Sequence, residues 1–379
     1  MVTSSGKTSK TRKETTTEER KLDHIRICLE REVQSACTTG FDDIRLVHNA
    51  VPEINFTDVD LSCSFLGHKL EAPIIVTAMT GGHSEATPIN QNIAQAVDEL
   101  GLAMGVGSQR AAIEDPLLAE SFAITREYAP KAFLVGNIGA PQLSLGYGVK
   151  EAQTAIDMID ANALAIHFNA AQEAVQPEGE ATFAGVLPAL RTLTQKLSVP
   201  VIAKETGAGL SREVAVSLAR AGVRALDVAG LGGTSWPAVE VERAKGEDTR
   251  KAILGRWFTD WGIPTAVSTF VAGRAVKIPI ISSGGIRTGI ECAKAIALGA
   301  TLVGVALPVL GPAATSSNEV SEYLKTLIYG LKAAMFLVGA SNLRELNQVP
   351  IVIGGNTRNW LELRGWGEEL HWLATRRPD

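Results

Sequence analysis

From about residue 72 the chain repeats one unit: a short apolar or β-branched run, a loop, and a stretch with apolar residues at helical spacing. Eight such runs occur, at Pro73 to Ala78, Leu102 to Val106, Ala132 to Asn137, Ala163 to His167, Pro200 to Lys204, Ala225 to Val228, Pro279 to Ser283 and Thr301 to Ala306. Continuous apolar runs, unlike alternating ones, predict strands covered on both faces, as in a parallel sheet. Between them, stretches such as Ser211-Arg-Glu-Val-Ala-Val-Ser-Leu-Ala-Arg-Ala-Gly222 carry a serine N-cap, apolar residues at helical spacing and a closing glycine. Eight strand-helix units predict an α/β fold, a (β/α)8 TIM barrel. A doubly wound open sheet is the alternative. It normally uses fewer strands and a Gly-x-Gly-x-x-Gly at the first turn, where this chain has Met79-Thr-Gly-Gly82.

The flanks lack this repeat. Residues 1–17 are Ser, Thr, Lys and Glu without periodicity and predict a disordered polar tail. A helix is expected from the Thr-Thr-Glu-Glu run, with Arg20, Lys21 and His24 on about one turn and Ile25 and Leu29 available to pack inward. Those cations could equally form a solvated face. Residues 65–72 predict a hairpin that plugs the bottom of the barrel, with His68 as a turn residue. The expected divisions are thus the tail (1–17), an N-terminal helical extension with the hairpin (18–71), the barrel (72–345) and a C-terminal extension (346–379). Residues 230–264 exceed a normal crossover, and their charged stretch Lys245 to Arg250 suggests a mobile lid packed by Trp236, Trp257 and Trp261.

Composition narrows the class. The 379 residues are 45% hydrophobic, enough for one large domain, and a net charge of −5 argues against general nucleic-acid binding. No apolar run approaches the roughly 20 residues of a membrane helix, and the polar N-terminus has no signal-peptide core, so a cytoplasmic protein is expected. Cys28, Cys37, Cys63 and Cys292 show no paired spacing, which argues against disulfides or a zinc site.

The chemistry collects at the ends of the runs. The seventh breaks into Ile281-Ser-Ser-Gly-Gly-Ile-Arg-Thr-Gly289, where Gly284 and Gly285 permit close backbone approach to an anion and a helix opens near Gly289. A plain tight turn would read the same way, but in a barrel the seventh and eighth strand ends commonly form a phosphate site, and the eighth ends in Val305-Ala306-Leu307-Pro308. Other ends offer Thr77-Ala-Met-Thr-Gly-Gly82, Gly107-Ser-Gln-Arg110, Gly136-Asn137, Lys204-Glu205 and Gly232-Gly-Thr-Ser-Trp236. Together they would surround a cofactor with both a ring and a phosphate, and FMN suits them, with Lys204 near the ring's N1 and C2 carbonyl. A sugar phosphate could use the same clamp but leaves Asn137, Thr77 and Met79 without a role. After the fourth run, His167-Phe-Asn-Ala-Ala-Gln-Glu173 places a carboxylate beside carboxamides and an imidazole, a site suited to Mg²⁺. Alternatively Glu173 merely caps a helix.

Several of these motifs, with Arg20-Lys21 and His24, Gln176-Pro-Glu-Gly179 and Asp260-Trp-Gly-Ile-Pro-Thr265, resemble the type 2, FMN-dependent isopentenyl-diphosphate isomerases over about residues 20 to 340. The long polar leader and Lys204-Glu-Thr-Gly-Ala-Gly depart slightly from that pattern. The resemblance implies reversible isomerisation of isopentenyl diphosphate to dimethylallyl diphosphate, with reduced FMN as acid-base catalyst, Mg²⁺, and NADPH as reductant. It implies FMN contacts from Thr77, Ala78, Met79, Thr80, Ser108, Asn137, Lys204, Thr234, Gly284, Gly285, Arg287, Ala306 and Leu307. Arg20, Lys21, Ser108, Gln109, Arg110 and Gln172 would contact substrate, and Glu173 would bind the metal. Gln172 would lie nearest the isoprene unit, with His167 and Asn169 beside the diphosphate and its ion. A homotetramer or homo-octamer is also implied. Two rivals are a 2-hydroxy-acid oxidase, which would want a histidine base and an arginine where Gly230 to Trp236 stand, and a noncatalytic flavin or phosphate binder.

Overall fold

The computed structural model describes residues 17–244 and 249–376. The predicted tail therefore lies outside the described residues apart from Thr17, as does Lys245 to Asp248 of the charged stretch.

Three short strands precede the repeat: β1 (Ile44–Leu46), β2 (Cys63–Phe65) and β3 (His68–Leu70). The next eight are β4 (Ile74–Val76), β5 (Ala103–Gly105), β6 (Phe133–Gly139), β7 (Ala163–Phe168), β8 (Val201–Glu205), β9 (Ala225–Asp227), β10 (Ile280–Ser283) and β11 (Leu302–Val305). These eight pair in parallel and close, with β11 returning to β4 through Val303 opposite Ile74. The predicted barrel is thus the observed one, and each apolar run marks one strand, with β6, β7 and β8 extending one or two residues past it. Both faces are covered, so almost every strand position is buried.

Inward-facing Ile75, Ala103, Phe133, Ala163, Ile202, Ala225, Ile281 and Leu302 pack with Phe65 and Leu70 of the β2–β3 hairpin, which fills the bottom of the barrel. Phe65 meets Phe133 edge to face at 5.4 Å. His68 is a strand residue whose ring lies 4.9 Å from that of Phe133, not a turn residue. The turn is made by Leu66 and Gly67, both at positive φ. The C-terminal strand β12 (Ile351–Ile353) pairs antiparallel with β1, tying the two ends of the described chain together.

The N-terminal helix (Thr17–Glu30) buries Ile25, whereas Leu29 is 43% exposed, so the expected inward packing holds for one of the two. After it the chain zips onto the loop following β9, with Ser35 N–H donating to Gly233 O (2.8 Å) and Ser235 N–H to Val33 O (2.8 Å). This pairing lays the helix across the C-terminal mouth of the barrel. The 230–264 segment carries two helices, Trp236–Arg243 and Thr249–Trp257. Of the tryptophans expected to pack it, Trp257 and Trp261 are 72% and 62% exposed, and Trp236 instead lines the mouth. No helix among the described residues is long and apolar enough to cross a membrane.

Candidate active site at the barrel mouth

A cavity of about 1580 Å³, counting its open mouth, sits at the C-terminal ends of the strands. Of the residues proposed for the site, Arg20, Lys21, Thr77, Ala78, Met79, Thr80, Ser108, Arg110, Asn137, His167, Asn169, Gln172, Glu173, Lys204, Thr234, Gly284, Gly285, Arg287, Ala306 and Leu307 all line it. Gln109 does not. Its Nε2 donates to Ala155 O (2.8 Å) and its Oε1 accepts from Asn137 N–H (2.8 Å), so this fully buried side chain braces β6 and points away from any substrate.

One wall is backbone. Gly284 (φ +105°) and Gly285 (φ +76°) press against the loop after β9. A Cβ on Gly284 would sit 2.2 Å from Gly230 O, and one on Gly285 2.3 Å from Gly232 O. Among the described residues the N–H groups of Gly285 and Ile286 have no acceptor. The helix Gly289–Ala297 is less available than expected. A capping box closes it, with Glu291 Oε2 accepting the N–H of Arg287 and Thr288 at 2.9 Å each. The open positive end belongs to the helix Leu307–Thr315 after β11, which no side chain caps. These free donors and the Arg287 guanidinium fit a phosphate. Thr80 Oγ1, buried after the neighbouring strand β4 without a partner, fits a ring edge. The cavity thus has the parts FMN requires.

The other wall is side chains. His167 Nδ1 lies 2.9 Å from Asn137 Oδ1, and Asn137 Nδ2 donates to Val106 O (3.1 Å), so the amide is oriented with its oxygen toward the imidazole. Burial, with Lys21 and Lys204 nearby, pushes the His167 pKa down to about 3, leaving it neutral with Nδ1 as donor. Burial also lowers Lys21, to about 7, with Arg20 adding to the effect. Asn169 Nδ2 donates to Glu173 Oε1 (2.8 Å), and Glu180 N–H to Glu173 Oε2 (2.6 Å). Asn169 Oδ1 is buried without a partner. Arg110 binds Glu180 (2.6 Å) and Glu114 (2.7 Å).

The centre of this wall was missed in the sequence. Glu240, 1% exposed, accepts from His24 (3.0 Å) and Gln172 Nε2 (2.8 Å) through Oε1 and from Arg243 Nε (2.8 Å) through Oε2. Burial opposes its charge, yet these partners hold its pKa down at about 2. Trp236 packs edge to face on His24 at 5.1 Å. Nothing in the alternating Val239-Glu-Val-Glu242 marks which glutamate turns inward. Asp227, buried at the base of the mouth beside Lys204, was also missed, although an acid inside the apolar run Ala225 to Val228 was a visible signal.

An isopentenyl-diphosphate delta-isomerase of Pyrococcus furiosus is 52% identical over 353 residues, covering 91% of this chain and 89% of that protein. A protein of the same name from Methanosarcina mazei is 47% identical over 353 residues, covering 93% and 96%. The chain belongs to the FMN-dependent isopentenyl-diphosphate delta-isomerase family. The broader FMN-dependent dehydrogenase family matches residues 152–352. Among solved structures, a flavocytochrome b2 variant with pyruvate bound aligns with a TM-score of 0.61 at 16% identity, covering 83% of this chain and 77% of that one. A mandelate oxidase aligns at 0.58 and 15%, covering 88% and 96%. At such identities the likeness shows the barrel fold alone. The protein is therefore an isomerase built on a flavin barrel, and the oxidase rival drops out.

Proposed function

We propose that the protein interconverts isopentenyl diphosphate and dimethylallyl diphosphate, using FMN in its reduced form and Mg²⁺, with NADPH as the external reductant. The observation that carries this reading is one cavity lined both by the backbone donors after β10 and β11 and by Lys204, Lys21, Arg110 and the Asn169–Gln172–Glu173 cluster. Relatives near 50% identity that bear the isomerase name support it.

Moving the double bond requires one proton added to an unactivated alkene and another removed from a neighbouring carbon, through cationic character at the tertiary carbon. Reduced FMN, when bound, supplies a proton near N5 and an electron-rich face against which that charge is tolerable. The chain's own residues bind and orient. Lys21 and Arg110 offer cations to the diphosphate. Glu173 and the unpartnered Asn169 Oδ1 suit a hard cation, and since no group of three or more His, Cys, Asp or Glu ligands occurs among the described residues, the ion would keep several waters, as Mg²⁺ does. Gln172, anchored through Nε2 to Glu240 and accepting from Asn169 Nδ2 through Oε1 (3.3 Å), is the side chain assigned to the isoprene unit, as an orienter or proton relay. His167 and Asn169 stand beside the diphosphate and its ion.

The test is isomerisation of isopentenyl diphosphate by the purified protein with FMN, Mg²⁺ and NADPH, and by Gln172→Ala and Glu173→Ala. Losses of at least tenfold are expected in both variants. Near-normal turnover in both, or a wild type that fails to form dimethylallyl diphosphate with its flavin reduced, would sink the reading.

A further inference from the structure

Lys204 and Asp227 are register partners on neighbouring strands β8 and β9, so their side chains share a face. Lys204 Nζ lies 3.0 Å from Asp227 Oδ2 and donates to Glu205 O at 3.1 Å. An ammonium has three N–H donors. Among the described residues only these two acceptors are in reach, which leaves one donor for the mouth that Lys204 lines. Asp227 does not line that mouth. Its Oδ1 accepts from Ser283 Oγ on β10 at 2.5 Å and from Ala229 N–H at 3.3 Å. The carboxylate is thus fixed from β8, β9 and β10 at once, with a charge-assisted bond to Ser283.

We propose that Asp227 is a positioning residue for the flavin. It holds the Lys204 ammonium in one place and offsets its charge, and so sets how strongly the site favours reduced over oxidised FMN. A lysine whose charge is unopposed stabilises electron density on the ring more than one facing a buried carboxylate 3.0 Å away. The inference rests on FMN occupying the mouth and needs no statement about the isomerase step.

The test is the midpoint potential of protein-bound FMN, measured without substrate in wild type, Asp227→Asn, Lys204→Met and the double variant. Asp227→Asn keeps shape and unmasks Lys204. It is expected to shift the balance toward reduced flavin about tenfold, an upward change of about 30 mV for a two-electron couple. In the Lys204→Met background the same change should move the potential less, because only the carboxylate's own field at the ring remains. An unchanged or lower potential in Asp227→Asn overturns the proposal, as does an equal shift in both backgrounds. If Asp227→Asn does not take up FMN, Ser283→Ala decides. Freed from Ser283, the carboxylate opposes Lys204 more strongly, so the potential should fall, and a rise or no change overturns the proposal. A wild type that binds no FMN would instead overturn the cofactor assignment first.

Discussion

The wall at the ends of β10 and β11 is made of backbone, whereas the wall under the N-terminal helix is made of side chains, and the two respond differently to change. In the first, glycines at positive φ and unpaired N–H groups leave little to adjust. In the second, His24, Gln172, Arg243 and Glu240 form a lattice in which each member is held by others up to 216 residues away in sequence. A backbone wall should fail all at once, and a side-chain wall by degrees.

The largest effect tests the first half. Gly285→Ala forces a Cβ into a left-handed φ of +76° and to 2.3 Å from Gly232 O, with backbone on both sides of the clash. Strain and overpacking together cost about 2–6 kcal/mol. FMN affinity should fall at least a hundredfold, measured by quenching of flavin fluorescence, and the apoprotein should melt lower. Wild-type FMN affinity in this variant would show that the glycine wall is not a rigid cradle.

Glu240→Gln comes next and should damage the other wall alone. It keeps a partner for Gln172 but removes the charge that Arg243 and His24 face in a buried site, where breaking a pair costs about 3–5 kcal/mol. Turnover should drop roughly a hundredfold with FMN affinity within twofold of wild type. A parallel loss of FMN affinity would mean that the two walls are not independent.

This division also explains what the sequence made legible. The eight strands were readable because a strand buried on both faces leaves a local signature, and the Gly284-Gly285 turn because only glycine accepts its φ. The partners of that turn were not. Glu291 closes the helix that looked like the phosphate's dipole, and the open helix begins at Leu307. Gln109 shows the same limit in reverse: its place next to Ser108 and Arg110 suggested substrate, while the strand end turns it back toward Ala155. Glu240 meets His24 across 216 residues of sequence, and no local pattern encodes a contact at that separation.

A smaller effect separates Lys21 from the rest of its wall. Burial lowers its pKa to about 7 in the free protein, whereas a bound diphosphate would raise it again. Above pH 7 the free protein loses this proton and the complex keeps it, so binding takes up one proton and weakens as pH rises, about tenfold per unit at most. Between pH 7.5 and 9 the substrate phosphate, whose second ionisation lies near 6, adds nothing. In the free protein His167, held near 3, stays neutral throughout that window. Substrate dissociation constants measured across it should climb in wild type and stay flat in Lys21→Met. The same climb in both would assign the titration to another group.

The smallest effect concerns a carboxylate that stands where substrate charge is expected. Arg110 lines the mouth, yet Glu180 binds it at 2.6 and 3.3 Å while Glu114 holds its Nε. The diphosphate must share or replace Glu180. Glu180 is 36% exposed, so solvent screens this pair and it contributes no more than about 1 kcal/mol. Glu180→Gln should therefore tighten substrate binding by about twofold to fivefold, the ratio that up to 1 kcal/mol allows, without moving FMN affinity. Weaker binding would mean that Glu180 orients Arg110 for the diphosphate and does not compete with it, and the side-chain wall would then be preset, closer to the glycine wall than its composition suggests.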